Sequence, residues 1–119
     1  MLIAVDFDGV ISYYSGWKGK EELGEPILDV IRGLNEIKKY GHKIMVYTCR
    51  ADKDLVRKFL VENEVPFDYI NDSPYNKERG LSIEKQDADV YIDDKSICFD
   101  GIWDTDFTNK VLNFRPWWR

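Results

Sequence analysis

The chain has 119 residues, 44% hydrophobic and 14% aromatic, with 22 acidic against 17 basic side chains and a formal net charge of -5. That length fits one domain over residues 1–119, and the apolar content excludes a disordered chain. The acidic balance removes a general affinity for nucleic acid or anionic membrane, and no apolar run approaches the roughly 20 residues that span a bilayer.

Residues 2–5 form an apolar run that reads as a buried parallel strand ending on Asp6. Asp6 and Asp8 interrupt the N-terminal run, and it lacks a basic flank and a small-residue cleavage site, so no signal peptide is expected. Gly9, Gly16, Gly19 and Gly24, with Tyr13, Tyr14 and Trp17 between them, predict a loop or short hairpin over that strand end. Pro26 suits the first position of a helix that carries Ile27, Val30, Ile31, Leu34 and Ile37 at helical spacing. Lys38 and Lys39 fall in its last turn, and Gly41 fits a left-handed cap. Residues 43–48 predict a second buried strand.

Asp52 can cap a helix running to about Glu64, with Leu55, Val56, Phe59 and Leu60 inward. Residues 67–70 predict a short third strand, residues 71–84 mostly loop, and residues 89–92 a fourth strand ending at Asp93 and Asp94. Residues 96–99 are expected to pair as a last strand after a tight turn. Residues 105–112 could form a final short helix before the aromatic tail FRPWWR. Strands alternating with helices predict a three-layer α/β/α, Rossmann-like domain with a mainly parallel sheet.

Ligands of open α/β sheets bind beyond the carboxyl ends of the strands. Those ends carry Asp6 and Asp8, then Thr48, then Asp93 and Asp94: four carboxylates and a hydroxyl on one edge. Such carboxylates repel unless a cation offsets them. An oxygen-only donor set suits a hard cation, and magnesium is the usual choice beside phosphate. A carboxylate there can attack phosphorus and form an aspartyl-phosphate. Asp8 can act as general acid and then base, Thr48 can donate to a phosphoryl oxygen, and Gly9 permits close approach of the backbone to a phosphate.

The segment Asp6-Phe7-Asp8-Gly9-Val10 after an apolar strand resembles the first motif of the haloacid dehalogenase superfamily of phosphatases. Thr48 in YTCR is similar to its second motif. The run KQDADVYIDD, Lys85 to Asp94, resembles the third and fourth motifs of a small capless branch, with Gln86 in place of a proline. The resemblance spans residues 1 to about 100, with the motifs in order. It implies a magnesium-dependent phosphatase with no cap domain. Asp6 would be the nucleophile, Asp8 the general acid and base, Thr48 the phosphoryl ligand and Lys85 the charge-steadying cation. Magnesium would be held by Asp6, the Asp8 main-chain carbonyl and one of the closing pair, Asp94 before Asp93. Lys77 is the rival for the lysine role.

Plainer roles stand beside these. Asp6 and Asp8 could be helix caps, and Lys85 a solvated surface residue. Arg50 could bind substrate phosphate or pair with a carboxylate. The aromatic loop could pack over the sheet edge or form the lip of a site. Trp117 and Trp118 could complete the core or mediate self-association. Cys49 and Cys98 lack metal-type spacing and His42 is the only histidine, so reduced thiols and a cytoplasmic location are expected.

Two other functions compete with phosphatase. A response-regulator-like phosphoacceptor domain would want adjacent acids, then a lone mid-chain aspartate, then threonine, then lysine; the order here differs. A catalytically silent magnesium-binding protein would keep the site and lose the chemistry. The expected partner is a phosphorylated substrate, either a small molecule or a macromolecular end. Nucleic acid is not indicated but stays open as a substrate, and an oligomer is possible.

Overall fold

In the computed structural model, which describes residues 1–119, four apolar runs pair in parallel. β1 (Leu2–Asp6) lies between β2 (Lys43–Tyr47) and β4 (Val90–Ile92), and β3 (Tyr69–Ile70) flanks β2. The order β3-β2-β1-β4 makes β1 central, and its Leu2, Ile3, Ala4 and Val5 are all buried. Ile3 aligns with Ile44 and Val90, and Val5 with Val46 and Ile92. Aligned residues project to the same side of a sheet, so these side chains share one face, and Leu2, Ala4 and Met45 share the other.

Two helices cover the first face. α1 (Leu28–Lys39) contributes Ile31 and Leu34, and α2 (Lys53–Glu62) contributes Val56, Phe59 and Leu60, to the core around Ile3, Val5, Ile44 and Val46. The second face is covered more thinly: α3 (Pro74–Glu78) brings Tyr75 against Leu2, Ala4 and Met45. The result is an α/β fold with a parallel sheet between helices. Asp52 caps α2 by accepting from the Leu55 N–H at 3.0 Å, and Gly41 follows α1 with φ +83°.

Two local expectations give way to the tertiary structure. Residues 96–99 form no strand. Lys95 N–H donates to Asp93 Oδ1 at 2.7 Å and turns the chain, while Phe99 joins Trp103 and Phe107 in a separate aromatic cluster. Residues 71–84 are mostly loop, as expected, broken by the one short helix that Pro74 starts, α3. Pro26 starts no helix. The chain there bridges to Ser12, Ile27 N–H donates to Ile11 O at 2.8 Å, and α1 begins at Leu28.

α4 (Thr105–Leu112) forms at the expected residues, capped by Asp104, which accepts from the Phe107 N–H at 2.8 Å. It buries none of its residues, and neither does β4. No helix is long and apolar enough to cross a membrane.

Candidate active site

The carboxyl ends of β1 and β4 bring three carboxylates together. Asp6 closes β1, and Asp93 and Asp94 follow β4. Each offers an oxygen, and the three oxygens lie within 4.8 Å of one another. Burial, then the hydrogen bond with Asp94 and the charge of Asp93, push the Asp6 carboxyl up to about 8. Near neutral pH the Asp6 carboxyl therefore favours its protonated form. Asp94 Oδ1 is buried and has no hydrogen-bond partner, an arrangement that costs energy unless a donor or a cation answers it. The residues fit a hard cation on both counts, an all-oxygen donor set and an orphaned carboxylate oxygen.

Gly9 makes the cluster possible. Its φ is +89°, and a Cβ there would run into the Asp94 carboxylate. The turn it opens is tied by Ile11 and Ser12 N–H donating to Phe7 O at 3.0 Å. Gly9→Ala is expected to cost about 1–3 kcal/mol through backbone strain and to displace Asp94; thermal melts with and without magnesium would show a lower Tm and a weaker magnesium response.

Asp8 and Arg50 meet directly, so Arg50 makes the carboxylate pairing that stood beside phosphate binding among its expected roles. Arg50 Nε and NH2 donate to the two Asp8 carboxylate oxygens, both at 2.8 Å. Arg50 is buried, and it also donates to the carbonyls of Lys20 at 3.3 Å and Glu22 at 3.1 Å, with Trp17 stacked 5.1 Å away. One guanidinium thus ties the Gly-rich loop to Asp8. Its carboxylate partner is this strand-end acid, and Arg50 also lines a small cleft with Tyr14 and Lys18.

A cavity of about 770 Å³ adjoins the carboxylates and is lined by Asp6, Thr48, Lys85 and Asp93, among others. Lys85 reaches it with Nζ 5.9 Å from the Tyr91 ring, whereas Lys77 lies in the last turn of α3 and does not line it. Thr48 Oγ1 accepts from the Arg50 N–H at 3.1 Å, so its own proton is free to be donated. Cys49 lines the cavity too, as an exposed free thiol.

Several site residues escaped the sequence reading. Asn71 accepts from the Thr48 N–H at 2.6 Å and donates to Thr48 O at 2.7 Å, fixing that residue from both sides. It stands at the end of β3, so the strand-end rule applied to β3 would have selected it. Tyr47 aligns with Asp6 across the sheet, and its hydroxyl donates to Asp93 Oδ2 at 2.6 Å. Burial, then that hydrogen bond and nearby carboxylates, raise the Tyr47 phenol well above its ordinary range. Lys53 and Lys95 add cationic groups to the cavity wall.

The aromatic tail closes over the same corner. Trp117 donates to Gly9 O at 2.8 Å and Trp118 to Asp94 Oδ2 at 2.5 Å. Tyr13 and Tyr14 meet these rings edge-on at 5.8 and 4.9 Å. The loop and the tail therefore form one wall beside Asp94.

No family model matches the chain, and no curated protein does. Among solved structures, the chain is similar to a conserved protein from Bacteroides thetaiotaomicron at 25% identity, with a TM-score of 0.66 over 94% of this chain and 88% of that one. The chain shares its α/β fold. A structure from Vibrio cholerae is similar at 23% identity, with a TM-score of 0.53 over 81% of each chain, and shows the fold alone.

Proposed function

We propose that this chain is a magnesium-dependent phosphatase that hydrolyses phosphoesters through an aspartyl-phosphate on Asp6. The observation that carries the proposal is the convergence of Asp6, Asp93 and Asp94, with an orphaned Asp94 oxygen, beside a cavity lined by Thr48 and Lys85. The order of these residues, similar to that of the haloacid dehalogenase superfamily, adds support. Asp6, Asp94 and the Asp8 carbonyl would hold magnesium, with Asp93 beside them. Bound magnesium would supply positive charge that keeps Asp6 ionised and offsets the phosphoryl oxygens.

In the first step an Asp6 oxygen bonds to phosphorus, the ester P–O bond breaks, and the leaving oxygen takes a proton from Asp8. In the second, water gives a proton to Asp8 and attacks the same phosphorus, and the bond to Asp6 breaks. Thr48 donates to a phosphoryl oxygen and Lys85 balances charge, so catalysis is positioning plus electrostatics. Both Asp8 oxygens are held by Arg50 in the resting state. The proton relay therefore requires Arg50 to release one of them, and phosphoryl oxygens are a competing acceptor for a guanidinium.

Repeated magnesium-dependent turnover of an aryl phosphate by the wild-type chain is the expected result, and a wider phosphoester panel with nucleotides and sugar phosphates would then find the substrate. A catalytically silent magnesium-binding domain is the second reading, favoured by the engagement of Asp8 with Arg50 and of Asp94 with Trp118. Magnesium binding without turnover of any phosphoester would decide for it. A phosphoryl group retained on the protein after one event would instead favour the phosphoacceptor reading.

A further inference from the structure

Two apolar surfaces of this chain lack a partner. The first is the β4 end of the sheet. Val90 and Ile92 project to the face that α1 and α2 cover elsewhere, yet they remain 42% and 36% exposed. A helix position beside β4 is empty. The second surface is α4 and the turn before it. Trp103, Phe107 and Val111 recur at four-residue spacing along one side, and Ile102, Trp103 and Leu112 are 64%, 65% and 76% exposed.

The whole molecule registers this excess. Its accessible surface is 8311 Å², whereas a folded monomer of 14.0 kDa exposes about 6,700 Å². The radius of gyration is 15.3 Å, against about 13.5 Å for a compact domain of this length. The surplus area is about 1,600 Å² per chain, within the share that each subunit of an obligate homodimer buries.

The segment bearing α4 is preformed. Phe99, Trp103 and Phe107 pack on one another, Trp103 Nε1 donates to Thr108 Oγ1 at 2.9 Å, and Asp104 caps the helix. The segment leaves β4 through the Asp93 turn, and the tail that follows it is anchored at Gly9 and Asp94 by Trp117 and Trp118. A rigid arm held away from its own sheet loses little entropy when another molecule receives it.

We propose that the chain is a homodimer in which α4 of each copy docks on the exposed β4 face of the other. The exchange is reciprocal, so one contact occurs twice about a two-fold axis, and assembly closes at two copies. It also covers the apolar side chains of Val90 and Ile92 that β4 leaves exposed.

Sedimentation of the full wild-type chain tests this without reference to catalysis. The expected mass is twice 14.0 kDa. Val111→Glu and Val90→Lys place a charge on surfaces that are exposed in the single chain, so each should fold normally by circular dichroism. Each is expected to weaken dimerisation by about a hundredfold or more, because a charge would be buried without a designed partner. Mixing the two variants should restore a dimer, since the heterodimer keeps one wild-type contact and sets Lys against Glu in the other. A monomeric wild type would overturn the proposal, as would dimers that survive Val111→Glu. A wild-type monomer whose Val111→Glu variant loses thermal stability would show α4 folding back on its own sheet.

Discussion

Asp6→Asn is expected to lower magnesium-dependent phosphoester turnover at least about ten-thousandfold, because it removes the nucleophile itself. The same substitution should change the pH dependence of stability. The Asp6 carboxyl titrates near its ordinary 3.8 in the unfolded chain and about 8 in the folded one. Between those values the folded state holds the extra proton, so stability falls as pH rises. The contribution is complete below the unfolded value of 3.8 and is lost as pH climbs through about 8. In metal-free protein, the wild-type Tm should therefore drop across this window, and Asp6→Asn should flatten that drop. Magnesium competes with the Asp6 proton, so its stabilising effect should grow with pH in the wild type and shrink in the variant. Melts in chelator and in magnesium across that range measure all of this. A wild-type profile with no downward slope would contradict the half-buried Asp6 with its raised pKa, whatever the outcome for turnover.

Arg50→Met has the second large expected effect. It leaves Asp8 without the two hydrogen bonds that hold its carboxylate and frees the loop carbonyls of Lys20 and Glu22. Breaking a buried pair from one side costs about 3–5 kcal/mol, which for a domain of this size lowers Tm by about 10–20 °C. Asp8→Asn alone should reduce turnover about a hundred- to ten-thousandfold through the lost acid and base. Because the two side chains form one unit, the double variant should cost less stability than the two losses added. Additive losses would mean that the pair does not couple in solution. Arg50→Lys separates charge from geometry: it keeps the cation but cannot grip both oxygens, so it should recover only part of the stability.

The difference between the legible and illegible parts of this chain follows from range. Residues 2–5 and 43–48 were readable as strands because continuous apolar runs have few other uses. α2 was readable because Asp52 sits one residue before it and bonds to the amide three residues on, and Asp104 caps α4 in the same way. The strand at 96–99 was a false expectation for a similar reason: ICF has β-like residues, but the Asp93 turn and the pull of Trp103 and Phe107 on Phe99 outweigh that local preference. Within the site, Asp6, Asp93 and Asp94 were legible from strand ends. Arg50 clasping Asp8 was not, since 42 residues separate them and no periodicity links a loop arginine to one acid among many.

The sequence by itself determined that this is an α/β chain with a parallel sheet and carboxylates gathered at the strands' carboxyl ends. Those features follow from hydrophobic period and chain direction, which act over a few residues at a time. Only the tertiary structure decided which groups touch. It put Lys85 on the cavity and Lys77 off it, locked Asp8 to Arg50, fixed Thr48 with Asn71, and folded the Trp117–Trp118 tail across Gly9 and Asp94. It also left α4 and β4 uncovered. Contacts of this kind depend on how distant segments share limited space and limited hydrogen-bond partners, and a one-dimensional pattern carries no record of that competition.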